Sequence, residues 1–158
     1  ELDILEHMRL IWFKPVHTFA HTAYFPQHEE CLFGWFRGHK PPVAGLSIED
    51  DKSVWQVDFE GKVRAQDAEH PTQKPIEIFA RPMRKHTEPG AVCFEPFNGS
   101  GSQIIAGEKE GRRVFAIEIT PHFVDATVRR WQRYTSEKAQ RFDAEGVERE
   151  GIETEIES

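Results

Sequence analysis

The stretch AVCFEPFNGSGSQIIAGEKEGRRVFAIEIT, residues 91–120, decides how this 158-residue chain is read. An apolar run (Ala91, Val92, Cys93, Phe94) leads into a loop of small residues, Phe97-Asn98-Gly99-Ser100-Gly101. Residues 101–110 then suit a helix, closed by Gly111 in the left-handed conformation that glycine adopts most easily. A second apolar run covers residues 114–119, and Thr120-Pro121 is an N-cap and first-turn pair for a helix over 121–135. Phe123, Val124, Thr127, Val128 and Trp131 form its inward face. Strand, helix, strand, helix within 45 residues is a parallel α/β unit, with both strands expected to be buried.

The loop sits where chemistry would place a ligand, after a strand and opening a helix. Gly99 and Gly101 let the backbone approach closely, and the free N–H groups of the helix start favour an anionic group. Glu118 ends the second strand, 17 residues after Gly101, where an acid in dinucleotide-type folds accepts hydrogen bonds from ribose hydroxyls. The layout is therefore suited to adenosine. Spacing alone leaves open a structural turn for the loop and a solvated strand end for Glu118. No GK[ST] follows the loop, which excludes a triphosphate P-loop, and GxGxxG is absent.

Upstream, the period changes at Lys74. Ile76, Phe79, Ala80 and Met83 share one helical face that ends near His86, with Pro82 inside the pattern predicting a kink. Ten of the eighteen aromatics lie in the first 60 residues. Residues 9–14 read as a strand stopped by Pro15, residues 30–35 as a second, and residues 53–59 as a short third. Residues 17–27 and 38–51 read as loops, and residues 61–69 as a polar, mobile segment.

Three motifs now combine: His70-Pro71-Thr72-Gln73-Lys74-Pro75, then Glu95-Pro96-Phe97-Asn98-Gly99-Ser100-Gly101-Ser102, then Ala116-Ile117-Glu118. Over residues 9–135 the chain resembles the C-terminal half of the DNA amino-methyltransferases with the beta motif order. That family transfers a methyl group from S-adenosylmethionine to N6 of adenine or N4 of cytosine. The resemblance implies an α/β, Rossmann-like methyltransferase fold. It assigns Glu95, Phe97, Gly99, Ser100, Gly101 and Ser102 to the loop under the methionine and sulfonium part of the cofactor. Thr72 and Lys74 would hold the carboxylate, and Glu118 the ribose. Two positions depart from the family pattern: Glu95 stands for the usual Asp, and Ser102 for the usual Thr.

The family's catalytic motif is Asp, Asn or Ser, then Pro-Pro, then an aromatic that stacks on a flipped base. The only Pro-Pro in the chain is Pro41-Pro42, flanked by Lys40 and Val43, which cannot serve. The resemblance thus implies a cofactor-binding part whose fold is incomplete, lacking the central strand that carries the motif. That strand is expected between the one after HPTQKP and the one at residues 9–13, and to come from an N-terminal segment or a second subunit. DNA is the expected partner of the complete enzyme, which could also pair with a second copy. The alternative is a non-catalytic module that binds S-adenosylmethionine to regulate or scaffold.

Composition fits one domain, residues 1–135, followed by an acidic tail, 136–158, expected to be a frayed helix passing into a solvated end. Of the net charge of −7, the tail carries −5 and residues 1–135 only −2. No basic stripe of a self-sufficient DNA-binding domain is present, and Arg129, Arg130 and Arg133 read as a solvated helix face. No apolar run is long enough to span a bilayer, so no membrane partner is expected. Cys31 and Cys93, outside any CxxC pair, read as reduced core thiols of a cytoplasmic protein. His17 and His21 lack a third ligand, so no metal site is expected. His28-Glu29-Glu30 reads as a turn, and Trp12, Trp35 and Trp55 as core or subunit-contact aromatics.

Overall fold

In the computed structural model, which describes residues 3–18, 23–45, 51–59 and 73–151, the fold is α/β. The chain runs β1 (Ile4–Phe13), β2 (His28–Phe36), β3 (Val54–Gln56), α1 (Ile76–His86), β4 (Val92–Glu95), α2 (Ser102–Glu110), β5 (Arg113–Ala116), α3 (Pro121–Thr135), β6 (Arg141–Phe142) and β7 (Glu148–Arg149). Thr72, His21, residues 61–69 and the end of the tail from residue 152 lie outside the described residues.

The strands form two principal sheets. One has the order β2-β1-β3, with β1 antiparallel to β2 and parallel to β3. The other pairs β4 with β5 in parallel, from Val92↔Arg113 to Glu95↔Ala116. The strand expected at residues 9–14 is longer, because Ile4 to Leu10 also pair with β2 around a bulge between Glu6 and Met8. It is also not an edge strand: β2 flanks it on one side, and β3 on the other at Ile11–Phe13. In these two sheets the free edges among the described residues therefore belong to β2, β3, β4 and β5. His28, Glu29 and Glu30 open β2 as strand residues rather than forming a turn, each paired with β1.

The core lies between helices and one face of β4–β5. Ile76, Ala80 and Met83 of α1 pack with Ile105 and Ala106 of α2, and Phe79, Cys93, Val114 and Trp131 close around them. Helix α1 continues through Pro82 as a single element. Close α2–β5 packing explains Gly107, where an added Cβ would stand 2.3 Å from Val114 Cγ2. Arg112 ties the helix ends together, donating to the carbonyl of Thr87 at 2.6 Å and to that of Glu110.

Three burial expectations need correction. Strands β4 and β5 are covered on one face only: Val92, Phe94, Phe115 and the adjoining Ile117 are each more than half exposed. An apolar strand run reads as buried on both faces, yet no helix among the described residues lies over this second face. On α3 the buried positions are Ala126, Thr127 and Gln132, while Val124 is exposed. Cys31 is exposed on β2, and Cys93 is half-buried; neither forms a disulfide. Trp12 and Trp55 are core residues as expected.

The acidic segment after α3 is not a frayed helix. Strands β6 and β7 pair Arg141 with Arg149 and Phe142 with Glu148. Asp143 organises the turn, accepting the Glu145 and Val147 N–H groups and the Arg149 guanidinium. Those backbone N–H groups hold its carboxyl below the usual value, with Arg149 adding to the effect. Among the described residues, no helix is long and apolar enough to cross a membrane.

Candidate functional site

The loop between β4 and α2 is built by glycine geometry. Gly99 has φ 54° and Gly101 φ 74°, both in the left-handed region. At Gly101 space also excludes a side chain, since an added Cβ would lie 2.6 Å from Thr127 Cγ2 on α3. Thr127 in turn donates its hydroxyl to the carbonyl of Gly99 at 3.0 Å and accepts the Asn98 side-chain amide at 2.8 Å. The other amide atom, Asn98 Oδ1, is buried with no hydrogen-bond partner.

Backbone bonds carry the strand order into the loop. Ile117 N–H donates to Glu95 C=O at 2.9 Å, Asn98 N–H to Ile117 C=O at 3.0 Å, and Gly101 N–H to Asn98 C=O at 3.0 Å. Glu95 turns its carboxylate back onto the Phe97 N–H at 2.8 Å, leaving the Phe97 ring exposed.

Glu118 closes the arrangement two residues beyond β5, which ends at Ala116 and so is shorter than the run to residue 119 that the sequence suggests. Its Oε1 accepts the Thr120 N–H at 2.9 Å and its Oε2 the Gly99 N–H at 2.7 Å. The N–H of Thr120 first, then that of Gly99, holds the carboxyl below its ordinary value, so the acid is ionised at neutral pH. Thr120 itself makes no side-chain cap to α3.

Ser100 and Ser102 are buried. Ser102 donates to the carbonyl of Lys74 at 2.6 Å, which ties the segment before α1 to the start of α2. The Lys74 ammonium points elsewhere: it lies 3.0 Å from Glu29 Oε2 on β2 and 5.9 Å from the centre of the Trp12 ring. Glu29 Oε1 stands 3.7 Å from the buried Lys14 ammonium, which also donates to Thr18 at 2.7 Å.

Of the residues singled out by sequence, Glu95, Phe97, Gly99, Ser100, Gly101, Ser102 and Glu118 gather around this loop. Lys74 joins them through its backbone, whereas Thr72 is outside the described residues. Sequence reading missed Glu29 and Lys14, as well as Arg130. Instead of a solvated face, Arg130 donates to Ser100 C=O and to Ser102 Oγ, both at 3.0 Å. Its place one helical turn after Thr127, on the stripe that meets the loop, was the available signal.

Beside Glu118 a cleft of about 490 Å3 opens between α3 and the segment C-terminal to it.

The family model for N6/N4 DNA methylases matches residues 3–129. The type II methyltransferase M.XycI of Xanthomonas campestris pv. cyanopsidis is 27% identical over 123 residues, which are 78% of this chain and 39% of that protein. M2.MboI of Moraxella bovis is 30% identical over 87 residues, covering 55% of this chain and 32% of that protein. The chain thus spans under two fifths of the length of these curated relatives. Among solved structures, the M1.HpyAVI–SAM complex superposes with a TM-score of 0.67 at 21% identity, over 82% of this chain and 63% of that one. TTHA0409 of Thermus thermophilus, complexed with S-adenosyl-L-methionine, gives 0.61 at 24% identity, over 84% and 55%. With the match running through both strands of the loop and the first turns of α3, the chain belongs to the N6/N4 DNA methylase family.

Proposed function

We propose that this chain is the S-adenosylmethionine-binding part of a DNA methyltransferase acting on the exocyclic amine of adenine (N6) or cytosine (N4). Its catalytic Pro-Pro-aromatic motif would come from an N-terminal segment outside these 158 residues or from a second subunit. The observation that carries the reading is the Glu118–Gly99 hydrogen bond, which fixes an ionised carboxylate against a glycine loop at the strand ends.

The residues fit an adenosyl amino acid. Glu118 Oε1 accepts the Thr120 N–H and Oε2 the Gly99 N–H, and a carboxylate has about four acceptor sites in all, so the same group can also accept from a ribose diol. Glu95, Phe97 and the residues from Gly99 to Ser102 would lie under the methionine arm. Lys74 has three ammonium donors and gives Glu29 one partner, so it can bridge to a ligand carboxylate, with Thr72 beside it in sequence. The bound sulfonium would supply a methyl group already activated for transfer. The protein's task is then positioning, for which Arg130, Thr127 and Ser102 brace the loop.

The layout of the sheets supports a missing part. The β4–β5 pair has free edges and a bare apolar face, and β2 and β3 also end in free edges among the described residues. The chain's only Pro-Pro, flanked by Lys40 and Val43, has neither acceptor nor aromatic. Residues 1–135 carry a charge of only −2 and the remainder −5, a poor balance for holding duplex DNA unaided.

The test is methyl transfer from labelled S-adenosylmethionine into DNA, with and without a polypeptide carrying the upstream strand and its Pro-Pro-aromatic motif. Activity is expected in the mixture only, while calorimetry should detect S-adenosylhomocysteine binding to this chain alone. Robust turnover by the chain alone would overturn the division of labour.

A further inference from the structure

Trp12 and Glu29 sit opposite each other where β1 ends and β2 begins, so both project from one face of that sheet. Lys74 lies over the same face, its ammonium 5.9 Å from the centre of the Trp12 ring and 3.0 Å from Glu29 Oε2. We infer that Glu29 is a positioning residue. Through its carboxylate, braced by Lys14, the β1–β2 pair sets where the Lys74 ammonium meets the carboxylate of an adenosyl amino acid. The inference rests on the cofactor reading above and extends that site to the first sheet.

Lys74 is held at both ends. Its carbonyl accepts the Ser102 hydroxyl at 2.6 Å, which ties its backbone to the first turn of α2. Between that anchor and the ammonium runs a flexible four-carbon stem, so the backbone bond alone does not place the charge. Glu29 supplies the second anchor. A lysine ordered before its ligand arrives loses less freedom on binding than one the ligand must order. The Lys74 side chain is 36% exposed and that of Glu29 40%, so a ligand can reach the ammonium with the ion pair in place.

Glu29 is itself fixed from behind. The Lys14 side chain is only 9% exposed, and its ammonium lies 3.7 Å from Glu29 Oε1 and donates to the Thr18 hydroxyl at 2.7 Å. The Lys14 N–H donates to the Gln27 carbonyl at 2.9 Å, and the Gln27 side chain donates back to the Lys14 carbonyl at 3.2 Å. A buried ammonium left without its anion is costly, so swinging Glu29 away from Lys14 is disfavoured. An exposed lysine–glutamate pair would by itself contribute little. The buried third member is what gives this pair a set geometry.

The experiment titrates S-adenosylhomocysteine and adenosine by calorimetry into the chain, Glu29→Ala, Lys74→Met and the two substitutions combined. Glu29→Ala should bind S-adenosylhomocysteine about two- to tenfold more weakly, the effect of having to order one long side chain on binding. Its affinity for adenosine, which has no carboxylate, should match wild type. In the Lys74→Met background the same substitution should cost nothing further, because a positioning residue acts through the side chain it positions. Glu30→Ala, next on β2 and paired with Arg9, should match wild type with both ligands. Should Glu29→Ala fail to fold, Glu29→Ala with Lys14→Met repeats the comparison without leaving a buried ammonium unpaired. Equal losses for the two ligands, or a loss undiminished beside Lys74→Met, would overturn the inference while the cofactor reading stands. Wild-type or tighter affinity in Glu29→Ala or in Lys74→Met would do the same. Failure of the wild-type chain to bind S-adenosylhomocysteine at all would instead remove both.

Discussion

Lys74 Nζ lies 3.0 Å from Glu29 Oε2, so the lysine before α1 is held by an acid on β2. The same carboxylate faces the buried Lys14 ammonium at 3.7 Å. Among the described residues these two cations share the Glu29 carboxylate, which is the basis for the proposal that Lys74 also meets a ligand carboxylate.

Lys74→Met should therefore weaken S-adenosylhomocysteine by about tenfold or more, the effect of losing a hydrogen bond to a charged group. Adenosine, which has no carboxylate, should keep its affinity. Parallel calorimetric titrations of the two ligands provide the check, and equal losses would make Lys74 a purely structural residue.

Glu118 gives a pH dependence of defined sign. Its folded value lies below the ordinary 4.5, so the carboxylate stabilises the fold above that pH and loses its contribution as pH falls through the depressed value. The gap in melting temperature between wild type and Glu118→Gln should be fully open above about pH 5 and close progressively on acidification. A gap that widens in acid would mean the N–H bonds to Gly99 and Thr120 are not what depresses the acid.

Gly101→Ala meets two obstacles, a φ of 74° and a Thr127 methyl 2.6 Å from the new Cβ. The cost should be about 1–3 kcal/mol in denaturant unfolding. Adding Thr127→Ser removes the closest atom but keeps a hydroxyl, so it should restore part of that loss. Absence of any rescue would put the whole cost on backbone strain.

Arg130→Met removes donors to Ser100 and Ser102 and should cost about 1.5–3 kcal/mol of stability. Because those bonds brace the loop, S-adenosylhomocysteine affinity should fall as well. Arg129→Met serves as the comparison, with both variants read by chemical denaturation and calorimetry.

Local signals were legible in the sequence. Gly111 ends α2 in the left-handed conformation, Pro121 opens α3, and Ile76, Ala80 and Met83 bury together, because capping and helical period act within a few residues. Glu118 and the glycine loop were likewise readable from their order along the chain. The features that escaped depend on neighbours distant in sequence. The exposure of Phe94 and Phe115 follows from which face carries a helix, a fact that strand composition does not encode. Glu29 reaches Lys74 across 45 positions, and Arg130 reaches Ser100 across 30. The β6–β7 hairpin was the exception. Asp143 and Gly146, three residues apart, are a turn signal in plain view, masked by the acidic composition around them.

The bare face formed by Val92, Phe94, Phe115 and Ile117 gives this chain a salt response opposite to that of nucleic-acid contact. Self-association through apolar side chains strengthens in sulfate or phosphate, which are excluded from the protein surface. Contact with phosphodiesters weakens as counterions accumulate. Raising the concentration of ammonium sulfate should therefore drive the isolated chain into dimers and larger species in sedimentation. A polypeptide that covers the face should abolish that rise, so precipitation behaviour becomes a direct readout of whether these side chains are covered.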